Sequence, residues 1–139
     1  MNEAMSRVTV DEVNTFLRSD FSGSSNTCEE IGGGWAIALF RTSDDHLRPG
    51  GIISGPTMFG VCDAALYYAC FSVLGISPMT VTSEMSIRFL RAAVGTELRA
   101  RADLVKVGRR AIIGNVVAWT TDASKPVAVA QGTYMPPAE

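Results

Sequence analysis

Apolar residues change their spacing three times along this chain. Over residues 8–21, Val10, Val13, Phe16, Leu17 and Phe21 recur every three to four positions, the period of a short amphipathic helix. Thr9 is placed to cap it, and Asp11 and Glu12 put negative charge at its positive end. The polar, glycine-rich residues 22–34 read as a loop with a little strand at most. Residues 35–41 then read as a first strand, and residues 42–53 as a second loop holding His46, Arg48 and Pro49-Gly50-Gly51. Over residues 54–74 the pattern switches: apolar side chains lie on nearly every side, with none of the polar stripe of a surface helix, so a helix here has to be wrapped by other elements. Ser54 suits its N-cap, Pro56 its first turn and Gly75 its stop, with Pro78 just beyond. A membrane span fits the length, but the segment stands alone, carries a carboxylate midway and is flanked by amphipathic strands.

The remainder alternates. Over residues 80–91, Val81, Ser83, Met85, Ile87 and Phe89 oppose Thr82, Glu84, Ser86 and Arg88; over residues 97–107, Leu98, Ala100, Ala102 and Leu104 oppose Arg99, Arg101 and Asp103. Gly108-Arg109-Arg110 reads as a turn, residues 111–121 as a strand apolar on both faces, residues 122–125 as another turn, and residues 127–135 as a closing strand. The order strand, long helix, four consecutive strands predicts a single α+β domain over residues 1–139, in which an antiparallel meander curves around the helix.

Composition narrows the function. Hydrophobic residues make up 47% and charged residues 19%, a globular balance with apolar surface to spare for a subunit interface. A net charge of -2 argues against a nucleic-acid-coating surface. Charge is uneven, however: residues 86–139 carry eight Lys or Arg against four acidic side chains. That suits a phosphorylated small ligand, as it also suits two solvated faces of opposite sign. Cys28, Cys62 and Cys70 show neither metal-ligand spacing nor a disulfide framework, which points to a reducing compartment. The amino terminus lacks the pattern of a signal peptide, so the expectation is a cytoplasmic protein.

Between Arg48 and Glu84 the only charged side chain is Asp63, in the middle of the wrapped helix. A carboxylate buried without donors or water costs several kcal/mol, so a cleft has to reach it or protein donors have to satisfy it. On helical spacing Thr57, Gly60, Asp63, Ala64 and Tyr67 share one face, and the small residues leave room for a ligand beside the carboxylate. Such a group is suited to be a general base or nucleophile; equally, it can be a structural Asp bonded to a neighbouring strand. At the start of the same helix, the free amides around Ser54-Gly55 form a natural site for a developing oxyanion. The two lie about 10–12 Å apart along the axis, a span an acyl group can bridge.

Four segments together resemble one family. Arg48-Pro49-Gly50-Gly51-Ile52-Ile53-Ser54-Gly55-Pro56 followed by Asp63, then Thr82 through Arg91, then Val107-Gly108-Arg109-Arg110, and finally Ala130-Gln131-Gly132-Thr133-Tyr134, are similar in order and spacing to the PaaI-like acyl-CoA thioesterases. The resemblance covers most of the chain from Trp35 onward. It implies a hotdog fold, in which a curved antiparallel sheet of five to six strands wraps one long helix, with a short N-terminal helix added here. It further implies Asp63 as the catalytic carboxylate, Gly55 as the amide that polarises the thioester carbonyl, and Thr82 as the hydroxyl that orients water. Arg48, Ser54, Met58, Phe59 and Tyr67 are then the acyl-binding candidates, and Arg88, Arg91, Arg109 and Arg110 the candidates for coenzyme A phosphates. Coenzyme A enters only as part of the substrate, with no further cofactor and no metal. The active sites are expected at the interface of a homodimer, within a homotetramer, and neither nucleic acid nor membrane is expected as a partner. Arg48 stands where the family has Asn, Ser54 where it has His, and Pro56 where it has Gly. His46 is the only histidine available as a replacement. Besides hydrolysis, two readings compete: a hydratase, which needs a His opposite a carboxylate, and a non-catalytic module binding acyl-CoA or a small aromatic ligand.

Overall fold

The computed structural model describes residues 5–138. Helix α1 (Val10–Asp20) starts on a reciprocal cap: the Glu12 amide donates to Thr9 Oγ1 at 3.1 Å and the Thr9 amide donates to the Glu12 carboxylate at 3.0 Å. Val13, Phe16 and Leu17 face the core, while Phe21, last of the periodic series, is exposed just past the helix end.

Strands β1 (Asn26–Gly32) and β2 (Trp35–Arg41) form a hairpin through Gly33 and Gly34, the latter at φ 86°. Residues 26–32, expected as loop, are therefore strand. The pattern was hidden because β1 is an edge strand that buries only Cys28 and spends Glu29 on an ion pair with Arg99, so it lacks the alternation that marks a half-buried strand. Within residues 42–53 a single 3-10 turn, Asp44–His46, precedes a small hairpin of β3 (Leu47–Arg48) and β4 (Ile52–Ile53).

Helix α2 (Gly55–Leu74) has Ser54 as N-cap, its hydroxyl accepting from the Thr57 amide at 3.4 Å, and ends at Gly75 with φ 85°. The strands β5 (Val81–Phe89), β6 (Glu97–Val107), β7 (Ile112–Trp119) and β8 (Ala128–Met135) follow. The main sheet is antiparallel throughout, in the order β1-β2-β6-β7-β8-β5. This corrects the expected meander at one point. β6, β7 and β8 are consecutive neighbours, but β5 pairs with β8 at the far edge, and β6 is inserted beside β2. Residues 90–96 are long enough to cross the end of the sheet, and their backbone is tied there by the Leu90 amide to Val127 O (2.8 Å), the Ile53 amide to Ala93 O (2.9 Å) and the Thr42 amide to Thr96 O (2.9 Å).

The sheet wraps α2 closely because its inner face is floored with small residues. One row across four strands reads Ala38, Ala100, Ala118, Ala128, and the next reads Ala36, Ala102, Val116, Ala130. Against this floor α2 buries Met58, Val61, Cys62, Ala65, Leu66, Tyr68, Ala69, Cys70 and Phe71. Each fully buried large side chain contributes on the order of 1.5–3 kcal/mol. Gly114 and Gly132, paired across β7 and β8, form a notch for Leu66, since a Cβ at either would come within 2.5 and 2.8 Å of its methyl carbons. The helix is long and apolar enough to cross a membrane by length and composition, yet here the sheet and α1 cover it. This is the hotdog architecture.

Candidate active site

Asp63 lies on the face of α2 that looks toward β5 and β8, and it is half-buried. Two hydroxyls converge on one of its oxygens: Thr82 Oγ1, from β5, donates to Oδ1 at 2.8 Å, and the Tyr134 hydroxyl, from β8, donates to the same Oδ1 at 2.6 Å. Among the described residues no donor reaches Oδ2, and that atom is not sealed in. The Tyr134 hydroxyl also lies 3.1 Å from the Asp63 carbonyl oxygen. Burial first, and then the neighbouring Asp63 charge, push the Tyr134 phenol far above its usual range, so it remains a proton donor to the carboxylate.

Asp63 borders a cavity of about 290 Å3 whose wall includes Gly60, Ala64, Tyr67, Tyr68, Thr82 and Tyr134. Gly60 and Ala64 supply the space that small residues on this face predict. Tyr67 stacks on Tyr134 with ring centres 5.7 Å apart and planes 23° apart, and its hydroxyl donates to Pro78 O at 3.1 Å. Leu17 and Phe21 of the first helical segment close another side. Two polar atoms in this wall, Tyr68 OH and Asn26 Oδ1, are buried without a hydrogen-bond partner among the described residues. Ser24 sits beside Tyr68 without the geometry of a hydrogen bond. The thiols of Cys62 and Cys70, on the same helix, are pushed up to about 12 by burial, with the Asp63 charge adding to the shift; they are inert at neutral pH.

The other expected residues are distributed differently. Gly55 opens α2, but it does not border the Asp63 cavity of its own chain. The ring of Phe89 covers it, 3.3 Å from where a Cβ would stand. The expected bridge between the helix start and the carboxylate is therefore not made within one chain: two helical turns separate the groups and Phe89 covers the glycine. Ser54 spends its hydroxyl on the cap and on Thr57 Oγ1 at 2.9 Å. Arg48 is exposed on the small hairpin and borders no cavity with Asp63. Met58 is only 4% exposed and belongs to the core, and Phe59 also lies outside the cavity wall, so of the acyl-binding candidates only Tyr67 lines it. Met58 was misplaced because a helix apolar on all sides does not announce which apolar face is the open one.

Arg88 borders one shallow groove with Asn115 and Gln131, whereas Arg109 and Arg110 border another with Leu74 and Pro136. Arg91 is exposed in the crossing segment after β5. The four arginines are thus spread over the surface of one chain, and among the described residues none is in an ion pair. His46 faces its own turn, with Nδ1 2.8 Å from Ser43 Oγ and its ring edge-on to Phe40. Tyr134 is a member of the site that was not among the expected site residues. The signal was present in the closing strand, where a tyrosine at a core-facing position needs a partner for its hydroxyl.

Residues 50–127 match the family model of the thioesterase superfamily. Among solved structures, the chain is similar to a candidate thioesterase from Silicibacter sp. TM1040, with 27% identity, a TM-score of 0.87, and coverage of 99% of this chain and 97% of that one. It is also similar to a conserved protein from Pseudomonas aeruginosa, with 28% identity, a TM-score of 0.76, and coverage of 86% and 94%. The fold is shared with the PaaI protein of the E. coli phenylacetic acid degradation operon at 20% identity, a TM-score of 0.78, and 92% coverage of both chains. No curated protein matches the chain.

Proposed function

The chain belongs to the thioesterase superfamily, and from that premise we propose that it hydrolyses an acyl thioester of coenzyme A to the free acid and coenzyme A. One observation carries this reading: a half-buried carboxylate, Asp63, held by two donors on Oδ1, presents an oxygen with no partner among the described residues beside a cavity able to take an acyl group. That oxygen is placed to take a proton from water as general base, or to attack the thioester carbonyl directly. Thr82, already bonded to the carboxylate, is the hydroxyl that helps orient the attacking water.

The reading assigns the oxyanion donor to the Gly55 amide, at the positive end of α2. Since Gly55 and Asp63 of one chain do not share a cavity, the site is composite: Asp63 of one protomer works with the partner's Gly55 in a homodimer joined along β5. Support comes from β5 itself, an outer strand whose residues are nearly all exposed, with Val81 and Phe89 each about half exposed. Coenzyme A phosphates are then met by arginines of more than one chain. Three free cysteines suit the reducing cytoplasm.

The test is thiol release from a panel of acyl-CoA thioesters, with chain length and aromaticity varied. Asp63→Asn is expected to lower kcat by about 100- to 10,000-fold with fold and assembly intact; unchanged turnover sinks the role of Asp63. A second reading, a non-catalytic acyl-CoA binder, is favoured by the engagement of Ser54 in its cap and the distance of Arg48 from the cavity. It predicts calorimetric binding with no thiol released by the unaltered protein.

A further inference from the structure

We infer that Tyr134 is a positioning residue for the reaction, acting through Asp63. This assignment rests on the thioesterase reading above and adds to it a device that aims the carboxylate. A carboxylate on a helix rotates about its side-chain torsions, and its two oxygens exchange roles unless something distinguishes them. Here Thr82 and Tyr134 both donate to Oδ1, at 2.8 and 2.6 Å, from two neighbouring strands. Oδ1 is thereby occupied, and Oδ2 is left as the oxygen that meets water or substrate. Of the two donors, Thr82 is exposed on the edge strand, whereas Tyr134 is only 3% exposed, and its ring is fixed by the stack on Tyr67. The buried donor at 2.6 Å sets the aim, because a phenol whose ring is already fixed by packing loses little freedom on bonding.

The phenol does not itself touch the reacting atoms. Its proton stays on Tyr134, and its contribution is to hold Oδ2 in line with the cavity. Loss of that hydroxyl lets the carboxylate turn, which lowers kcat more than it changes substrate binding.

Tyr134→Phe removes the hydroxyl and keeps the ring that stacks on Tyr67. With the best thioester of the panel, the expected result is a fall in kcat of about 10- to 100-fold, the size of one hydrogen bond to a charged group. KM is expected to change less than about threefold. Tyr134→Phe combined with Thr82→Val is expected to cost less than the product of the two single effects, since both act on one oxygen.

Active parent protein with unchanged kcat in Tyr134→Phe overturns the assignment while leaving the thioesterase reading intact. A fall in kcat that merely follows a fall in thermal midpoint, with the effects of Tyr134→Phe and Thr82→Val multiplying in full in the double variant, also overturns it, since a purely structural tyrosine behaves that way. If the unaltered protein releases no thiol from any thioester, the thioesterase reading fails first and this assignment fails with it.

Discussion

The two outer edges of the sheet are treated in opposite ways. At the β1 edge the outward backbone groups of Cys28 are taken up by a side chain: Asn14 of α1 donates Nδ2 to Cys28 O at 2.9 Å and accepts from the Cys28 amide at 2.9 Å. A helix thus closes that edge as a further strand would. At the β5 edge no described residue performs this service, and apolar side chains stand exposed at both ends of the strand. Thr82, one of the two donors to Asp63, lies on this open strand. The contrast teaches that the molecule spends its helix on sealing one edge of the sheet and leaves unsealed the edge that supplies a donor to the carboxylate.

The strongest way to break this comparison is to charge the open edge. Val81→Glu with Phe89→Glu sets like charges against each other across any two-fold axis along β5. The expected outcome is protomer dissociation at least about 100-fold easier by sedimentation, with thioester turnover lost in parallel; a full-sized, fully active assembly refutes the role given to β5. A smaller effect is expected at the closed edge. Asn14→Ala leaves both Cys28 backbone groups unpaired and lowers stability by about 1–3 kcal/mol in denaturant unfolding, with turnover per folded molecule unchanged. The smallest effect concerns charge. Arg99 donates to Glu29 at 2.7 and 2.9 Å, and that hydrogen bond first, ahead of the opposing effect of burial, lowers the Glu29 carboxyl below its ordinary 4.5. Because the folded value is depressed, the pair stabilises above pH 4.5 and the benefit is lost as pH falls through the folded value. Glu29→Gln is therefore expected to be less stable than the parent by roughly 0.2–1 kcal/mol at pH 7, and equal to it in acid.

Much of this was legible in the sequence. The capped α1 and the bounds of α2 follow from local rules: Thr9 with Glu12, Ser54 before Pro56, and Gly75 at the stop. Asp63 stood out because a charge amid apolar residues has to be answered, and the two hydroxyls answer it. What escaped the sequence is non-local. Nothing in residues 80–91 says whether their strand neighbours β6 or β8, since alternation fixes faces and not partners. Tyr134 became part of the site only through that pairing, which brings β8 beside β5 and beneath Asp63. Likewise, the covering of Gly55 by Phe89 depends on how the crossing segment leaves β5, which no periodicity encodes.

The glycine notch carries one last implication. A rod that is oily all the way round has no preferred rotation about its own axis inside an oily trough. Leu66 dropping into the gap at Gly114 and Gly132 works like a key in a keyway, and Asp63, three residues earlier on the same rod, inherits its heading from that seating. A methyl group added to the trough floor would turn the rod, and a carboxylate that never touches those glycines would point the wrong way.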